Sequence, residues 1–341
     1  MVKVGILGVG SYAMALAKLL GEKGYNVIMW SHNEAIKESI NNNHKNTEFL
    51  TDIILPFSVK ATTSLQETVK DCNYLISVIP TQFIRSTISK LSSELGDDVI
   101  IINGAKGIEN DTLLTISEIF EELFPKRLYS QLAYISGPSF AAEVAQKKIT
   151  AVTTASYSSQ TVQKVKELLS TNYFKVFTTN DVIGIEICGS LKNIIAIAAG
   201  IVDGLGLGAN TQAALITGGL REITQIGLRK GANLSTFLGL AGIGDLVLTC
   251  TGDLSRNRFV GRELASGKKI SQIMSEMSMV AEGIGTTKSA YDLANKLNVK
   301  VPIIEEIYNV LYMDKPPHKV VEDLMSRDLQ AEFYSSPLTT N

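Results

Sequence analysis

The sequence predicts a two-domain protein, an α/β domain of Rossmann type over residues 1–181 followed by an all-helical domain over residues 182–341. Three observations carry that expectation. Lys3 to Leu7 is a short apolar run that leads into Gly8-Val9-Gly10-Ser11-Tyr12-Ala13 and then into a helical pattern. Further short apolar runs with strand character recur as far as Thr178. After Asp181 they stop, and long periodicities near 3.6 residues take over.

Composition narrows the function. A chain of 341 residues that is 45% hydrophobic can bury two cores. Its net charge of −2 supplies no basic field for nucleic acid. The central apolar run Ile194 to Val202 falls far short of the roughly 20 residues needed to span a bilayer, so no transmembrane segment is expected. The N-terminus carries no charged leader ahead of an apolar stretch. Cys72, Cys188 and Cys250 are widely spaced and in no metal or redox pattern, which fits a reducing cytoplasm. His32, His44 and His318 are the only histidines, so proton chemistry falls to Lys, Asp or Glu and no metal site is expected.

In the first unit, Gly8 permits a tight turn and Gly10 lets the backbone approach a pyrophosphate, which would rest on the amides of the following helix. That helix runs through Met14, Leu16, Ala17, Leu19 and Leu20 to Gly24, and Val27 to Trp30 is the second strand. A carboxylate at the end of this strand would bond the ribose of NAD. Here the chain reads Trp30-Ser31-His32-Asn33, with Glu34 late. Ser31, His32 and Asn33 can donate to a 2′-phosphate, so NADP(H) is favoured over NAD(H), although a solvated turn accounts for the same residues.

Tyr74 to Ile79 is the next strand, stopped by Pro80, and Val99 to Asn103 follows, ending in Gly104-Ala105-Lys106-Gly107. Tyr134-Ile135-Ser136 then runs into Gly137-Pro138-Ser139-Phe140. In open parallel sheets ligands lie beyond the carboxyl ends of the strands, where Pro80, Lys106 and Ser139 all fall. Ala151 to Ala155 and Phe174 to Thr178 complete the strands, with a helix over Val162 to Leu169 between them.

The second half reads as helices over Val182 to Leu205, Thr211 to Leu228, Gly261 to Ala265, Thr286 to Leu297, Ile303 to Met313 and Val320 to Arg327, with Ser335 to Asn341 a frayed tail. The chain is organised around Cys188 to Leu220. There Leu191, Ile194, Ile195, Ala198 and Val202 form an apolar face, and Lys192 falls off it, beside Ala196 and Ala199. Such a lysine either snorkels to solvent or is held in a cleft with a shifted pKa. Asp245 follows a glycine run beginning at Gly239, and Leu254-Ser255-Arg256-Asn257-Arg258 precedes a helix. Ser255 and Asn257 suit helix capping, and with Arg256 they equally suit a phosphate.

The motifs Gly8-x-Gly10-Ser11, Asn103-Gly104-x-Lys106-Gly107, Ser136-Gly137-Pro138-Ser139-Phe140-Ala141, Leu191-Lys192-Asn193, Ala199 to Gly208, Gly239 to Cys250, Leu254 to Asn257 and Glu282-Gly283 stand in one order. Through them the chain resembles bacterial NAD(P)-dependent glycerol-3-phosphate dehydrogenases over almost its whole length. The resemblance implies a helical domain like the C-terminal domain of 6-phosphogluconate dehydrogenase. It also implies reversible reduction of dihydroxyacetone phosphate to sn-glycerol 3-phosphate, the backbone of glycerophospholipids, and it admits a homodimer. By position, Gly8, Gly10, Ser11, Tyr12, His32, Lys106, Ala141, Arg256, Val280 and Glu282 would meet the cofactor. Lys106, Gly137, Ser139, Lys192, Asp245, Ser255, Arg256 and Asn257 would hold the substrate, with Lys192 the proton-transfer residue. Asp245 would bond either Lys192 or a substrate hydroxyl, and the alanines beside Lys192 read as clearance for the ligands. Tyr12 stands where the family commonly has tryptophan, Ala13 where it has a third glycine, Ala209 where it has aspartate and Gly219 where it has arginine. Two rivals are a dehydrogenase of 3-hydroxy acids or ketopantoate, which would want a carboxylate site at Ser255-Arg256-Asn257, and a non-catalytic nucleotide sensor, which needs no lysine at 192.

Overall fold

The computed structural model describes residues 2–277 and 281–326. Eight strands form one sheet in the order β3-β2-β1-β4-β5-β6-β7-β8: β1 Lys3–Leu7, β2 Asn26–Trp30, β3 Val59–Thr62, β4 Tyr74–Ser77, β5 Ile100–Asn103, β6 Leu132–Ser136, β7 Thr150–Ala155 and β8 Phe174–Thr179. All neighbours pair in parallel except β6 and β7. The first strands read as continuous apolar runs because helices cover both faces of the sheet, and β5 is buried throughout. β3 had no counterpart among the expected strands. Val-Lys-Ala-Thr is too short and mixed to announce itself, and it is a strand because β2 supplies its hydrogen bonds.

Register makes the ligand edge. Leu7 pairs with Trp30 and with Ser77, and Ser77 pairs with Asn103, so β1, β2, β4 and β5 end in one row. The chain reverses its direction of travel across the sheet between β1 and β4, which opens a crevice at their carboxyl ends.

Strands end at Thr179, and every later described element is a helix. The helix Val182–Gly204 is the axle of this half, with 23 residues and the others wrapped around it. The expected single apolar face is in fact a whole circumference, since every residue from Gly184 to Val202 is buried. This helix is also long and apolar enough to cross a membrane by length and composition, but 94% of its most apolar window is buried inside the protein. The run Ile194 to Val202 understated it because Glu186, Lys192 and Asn193 interrupt the apolar sequence without interrupting the helix.

Ala196 and Ala199 do not give clearance to ligands. Both are fully buried in the helical core, and the same stripe continues into Gly200. A Cβ at Gly200 would stand 2.0 Å from the Arg258 carbonyl oxygen, and one at Gly261 would stand 2.0 Å from that of Ile197. The small residues let Val182–Gly204 touch the helix Arg256–Ala265 backbone to backbone. Gly219 has a similar reason, since its Cβ would lie 2.6 Å from the Ile195 side chain. The last described helix, Pro317–Ser326, covers most of the expected Val320 to Arg327 element. The tail Ser335 to Asn341 and Val280 lie outside the described residues.

Candidate functional site

A cavity of about 860 Å³ opens where the sheet edge faces the helical half, large enough for a dinucleotide-sized ligand and a small substrate. Gly8 turns the chain at the end of β1 with φ +117°, a backbone angle that favours glycine. A Cβ on Gly10 would meet nothing within 4 Å, so the backbone there faces open cavity. The helix Ser11–Glu22 that follows has no side-chain cap, and its first amides are the ones an anion can use. Asn46 donates to the Val9 carbonyl at 2.9 Å and accepts from the amides of Glu48 and Phe49. That brace brings Phe49 and Leu50 to the cavity wall beside the glycine turn.

At the end of β2 only one of the three expected donors faces the cavity. His32 is exposed on its wall. Ser31 is buried, with its hydroxyl held on the Asn33 backbone, and Asn33 caps the helix Glu34–Asn43 through the amides of Ala35 and Ile36. Ser31 and Asn33 are therefore local structure and not part of the wall, because an Asx cap uses the side chain that a ligand would need.

The end of β5 aims a cation. The Asn103 side chain folds back on Ala105 and turns the loop so that Lys106 crosses toward the helical half, where its Nζ meets Asp245 Oδ2 at 2.8 Å. At the end of β6, Gly137 has φ +133°, and a Cβ there would lie 2.9 Å from Val152 Cα. Gly137 does not line the cavity. It is a turn that clears β7, while Ser139, beyond it, is on the wall. Tyr12 sits between Ser139 and Lys106, and burial raises its phenol pKa against the pull of Lys106.

From the helical half, Gly239 to Gly244 delivers Asp245. A Cβ at Gly242 would stand 2.2 Å from the Phe237 carbonyl oxygen, so the glycine run presses against Phe237 and ends at the start of the helix Asp245–Thr251. Asp245 is 1% exposed and contacts both lysines: Oδ1 accepts from Lys192 Nζ at 2.5 Å and Oδ2 from Lys106 Nζ at 2.8 Å. The Thr249 hydroxyl, one turn on, lies 2.8 Å from Lys192 Nζ. Lys192 is 6% exposed, and it is neither a snorkelling lysine nor a solvated one. Burial pulls its pKa down to about 8, with Lys106 pulling the same way and Asp245 opposing. For Asp245, burial works upward, but the two flanking ammonium groups outweigh it and hold the carboxylate below its usual range.

At the far side, Ser255 caps the helix Arg256–Ala265 by accepting from the Arg258 amide at 3.3 Å. Asn257 donates to Asn193 Oδ1 at 3.0 Å and accepts from the Gly283 amide at 3.0 Å, joining three helices under the cavity wall. Asn257 thus spends its carbonyl on the fold and keeps one amide hydrogen for a ligand. Arg256 lines the cavity and makes no hydrogen bond or ion pair among the described residues. Glu282 lines the same wall. It is half-buried, and burial pushes its carboxyl up to about 7, with Arg256 and Lys106 pulling it down.

Of the expected residues, Gly8, Gly10, Ser11, Tyr12, His32, Lys106, Ser139, Ala141, Lys192, Asp245, Ser255, Arg256, Asn257 and Glu282 line this one cavity. Sequence reasoning missed Thr249, whose only signal was its place four residues after Asp245, and Phe49, Leu50 and Phe83, apolar residues in irregular segments that no periodicity marks. Asp203 lies about 16 Å along the helix from Lys192 and pairs with Arg258 and Arg262. Three cations face two carboxylates, one of them titrating near neutrality, so the walls suit an anionic ligand.

Comparison with known proteins identifies the same halves. The family model described as NAD-dependent glycerol-3-phosphate dehydrogenase N-terminus matches residues 3–162, and that described as its C-terminus matches residues 181–322. The chain is 47% identical over 330 residues to the NAD(P)+ glycerol-3-phosphate dehydrogenase of Leptospira biflexa, covering 97% of this chain and 99% of that protein. It is 48% identical to the one from Citrifermentans bemidjiense, covering 97% and 98%. The crystal structure of glycerol-3-phosphate dehydrogenase from Coxiella burnetii superposes with a TM-score of 0.91 at 35% identity, covering 95% of this chain and 99% of that one.

Proposed function

The chain belongs to the NAD(P)-dependent glycerol-3-phosphate dehydrogenase family, and from that premise we propose that Lys192 is the general acid and base of its reaction. The reaction is reversible reduction of dihydroxyacetone phosphate to glycerol 3-phosphate, and the chain is a nicotinamide-dependent oxidoreductase. The bound nicotinamide supplies the hydride that reaches the ketone carbon. In this reading residues 1–181 bind the cofactor and residues 182–341 complete the substrate pocket.

One observation carries the lysine's role. Lys192 is a buried ammonium on a rigid helix, at the wall of the cavity, with its pKa drawn down to about 8. Such a group gives a proton to a developing alkoxide and, when neutral, takes one from an alcohol. Asp245 orients it, and Lys106, on the other oxygen of Asp245, adds positive charge near the reacting oxygen. The substrate phosphate rests on Arg256 and the free amides of the first turn after Ser255, with the remaining Asn257 amide hydrogen beside them. NADP(H) is the favoured cofactor because His32 is on the wall at the end of β2 and no carboxylate is. The free, unpaired Cys72, Cys188 and Cys250 support a cytoplasmic location, where glycerol 3-phosphate enters glycerophospholipids.

Lys192→Ala is the test. It removes turnover of dihydroxyacetone phosphate while NADPH binding, followed by fluorescence, persists. Retained turnover would sink the assignment.

A further inference from the structure

A second, small cavity shares Lys106 with the large one as a common wall. It offers about 10 Å³ to the centre of a water molecule, room for roughly one. Its other walls include Tyr134, Ser136, Glu186 and Gly189. The hydroxyls of Tyr134 and Ser136, 2% and 4% exposed, have no hydrogen-bond partner among the described residues. A Cβ on Gly189 would lie 2.9 Å from Ser136 Oγ and 3.5 Å from Lys106 Cγ, so glycine keeps the space between them open.

Hydrogen bonds lead away from this cavity in two directions. Outward, the buried Glu186 carboxyl accepts from the Ser117 amide at 2.9 Å and from the Ser117 hydroxyl. Ser117 Oγ is 3.0 Å from Thr115 Oγ1, which is 3.1 Å from the Glu118 carboxylate. Glu118 is 35% exposed and pairs with Lys230, so the series ends at solvent. Inward, Lys106 bonds Asp245 and Asp245 bonds Lys192.

We propose that Glu186, with a water in this cavity, relays protons from the surface at Glu118 to Lys192 by way of Lys106, with Asp245 holding the two lysines together. The proposal rests on Lys192 being the general acid. In each reduction the Lys192 ammonium loses one proton to the substrate oxygen. The Lys106 ammonium, held beside Lys192 on the same carboxylate, passes a proton to the Lys192 amine, while Asp245 stays ionised and keeps the two nitrogens in place. The Lys106 amine is refilled by the water, the water by the Glu186 carboxylic acid, and Glu186 through Ser117 and Thr115 from Glu118 and solvent. One proton enters and one leaves with the product, and no electrons move along the path. The groups around Glu186 are Ser117, Thr115, Glu118 and Glu121 from one side, Tyr134 from β6, Tyr157 from the bend after β7, Lys230 at the surface and Lys106 across the cavity. Burial pushes the Glu186 carboxyl up to about 7, so it both holds and releases a proton near neutral pH.

A carboxylate docked on the first turn of a helix also braces the two halves, and the experiment must separate the two roles. Glu186→Gln keeps the shape and the bond from the Ser117 amide, with its NH2 donating to the Ser117 hydroxyl in place of accepting from it, but cannot hand on a proton. With NADPH and dihydroxyacetone phosphate, kcat falls about tenfold with KM unchanged, the solvent deuterium isotope effect on kcat rises, and Glu186→Asp restores part of the rate. Wild-type kcat and isotope effect in Glu186→Gln, or a lower kcat with an unchanged isotope effect, overturn the relay. Lys192→Ala is assayed alongside. If it turns over, the general-acid reading fails; if it is dead while Glu186→Gln is normal, only the relay fails. Should Glu186→Gln not fold, Ser117→Ala decides on the same two readouts.

Discussion

The Lys192 ammonium and the Asp245 carboxylate stand 2.5 Å apart although 53 residues separate them, and neither is solvated. Asp245 also holds Lys106, so one buried carboxylate stabilises two cations, one from each half of the chain. Breaking such a buried pair by removing one partner costs about 3–5 kcal/mol where nothing replaces it. The arrangement persists because each charge has hydrogen-bond partners, and burial leaves the Lys192 pKa drawn down to about 8.

The direction of the pH dependence follows from the roles. With Lys192 as the proposed general acid, kcat for reduction falls as pH rises through about 8, and oxidation of glycerol 3-phosphate gains over the same interval. Asp245→Asn removes the main attraction that raises the Lys192 pKa, and the midpoint moves lower. Measured pH–rate profiles in both directions check this, and a midpoint that stays in place after the substitution contradicts it.

Arg256 makes no hydrogen bond or ion pair among the described residues and feels Glu282 only through space, so in the proposed reading its charge serves the substrate phosphate. Arg256→Ala raises KM for dihydroxyacetone phosphate by tenfold or more, at about 1.5–3 kcal/mol for a charged hydrogen bond, with a smaller change in kcat. An unchanged KM argues against the phosphate site.

The proposed preference for NADP(H) rests on His32. An acid at the end of β2 repels a 2′-phosphate and accepts from a ribose hydroxyl. His32→Asp lowers the ratio of kcat/KM for NADPH over NADH by about tenfold or more, near 1.4 kcal/mol of discrimination. A ratio that does not move places the adenosine ribose elsewhere.

Stability has its own critical contact at Gly200. Gly200→Ala puts a methyl group against the Arg258 carbonyl and forces the two helices apart, costing about 1–3 kcal/mol. Denaturant titration reads the loss as a lower midpoint. A midpoint equal to the parent's means that the helices part without cost.

Much of this was legible before any coordinates. The glycine turn, the strand ends carrying Lys106 and Ser139, and the change to helical periodicity after Asp181 are local patterns, and local patterns survive in one dimension. β3 was not legible, because a four-residue strand owes its existence to its neighbour β2. Ser31 and Asn33 looked like ligand donors because their hydrogen-bonding capacity is visible in the sequence, whereas its use in a turn and a helix cap is not. Gly137 was misread for a related reason: a glycine beside a binding loop serves either a ligand or a crossing strand, and only the position of Val152 shows which.

The sequence by itself determined the change from strands to helices after Asp181, the residue types at the ligand edge and the family they belong to. The tertiary structure alone decided that Lys192 is buried, that Asp245 joins it to Lys106, and that Ala196, Ala199 and Gly200 serve helix packing. The physical reason is range. Backbone propensity and periodicity act over a few residues, whereas a lysine's pKa depends on burial and on charges brought close from far along the chain.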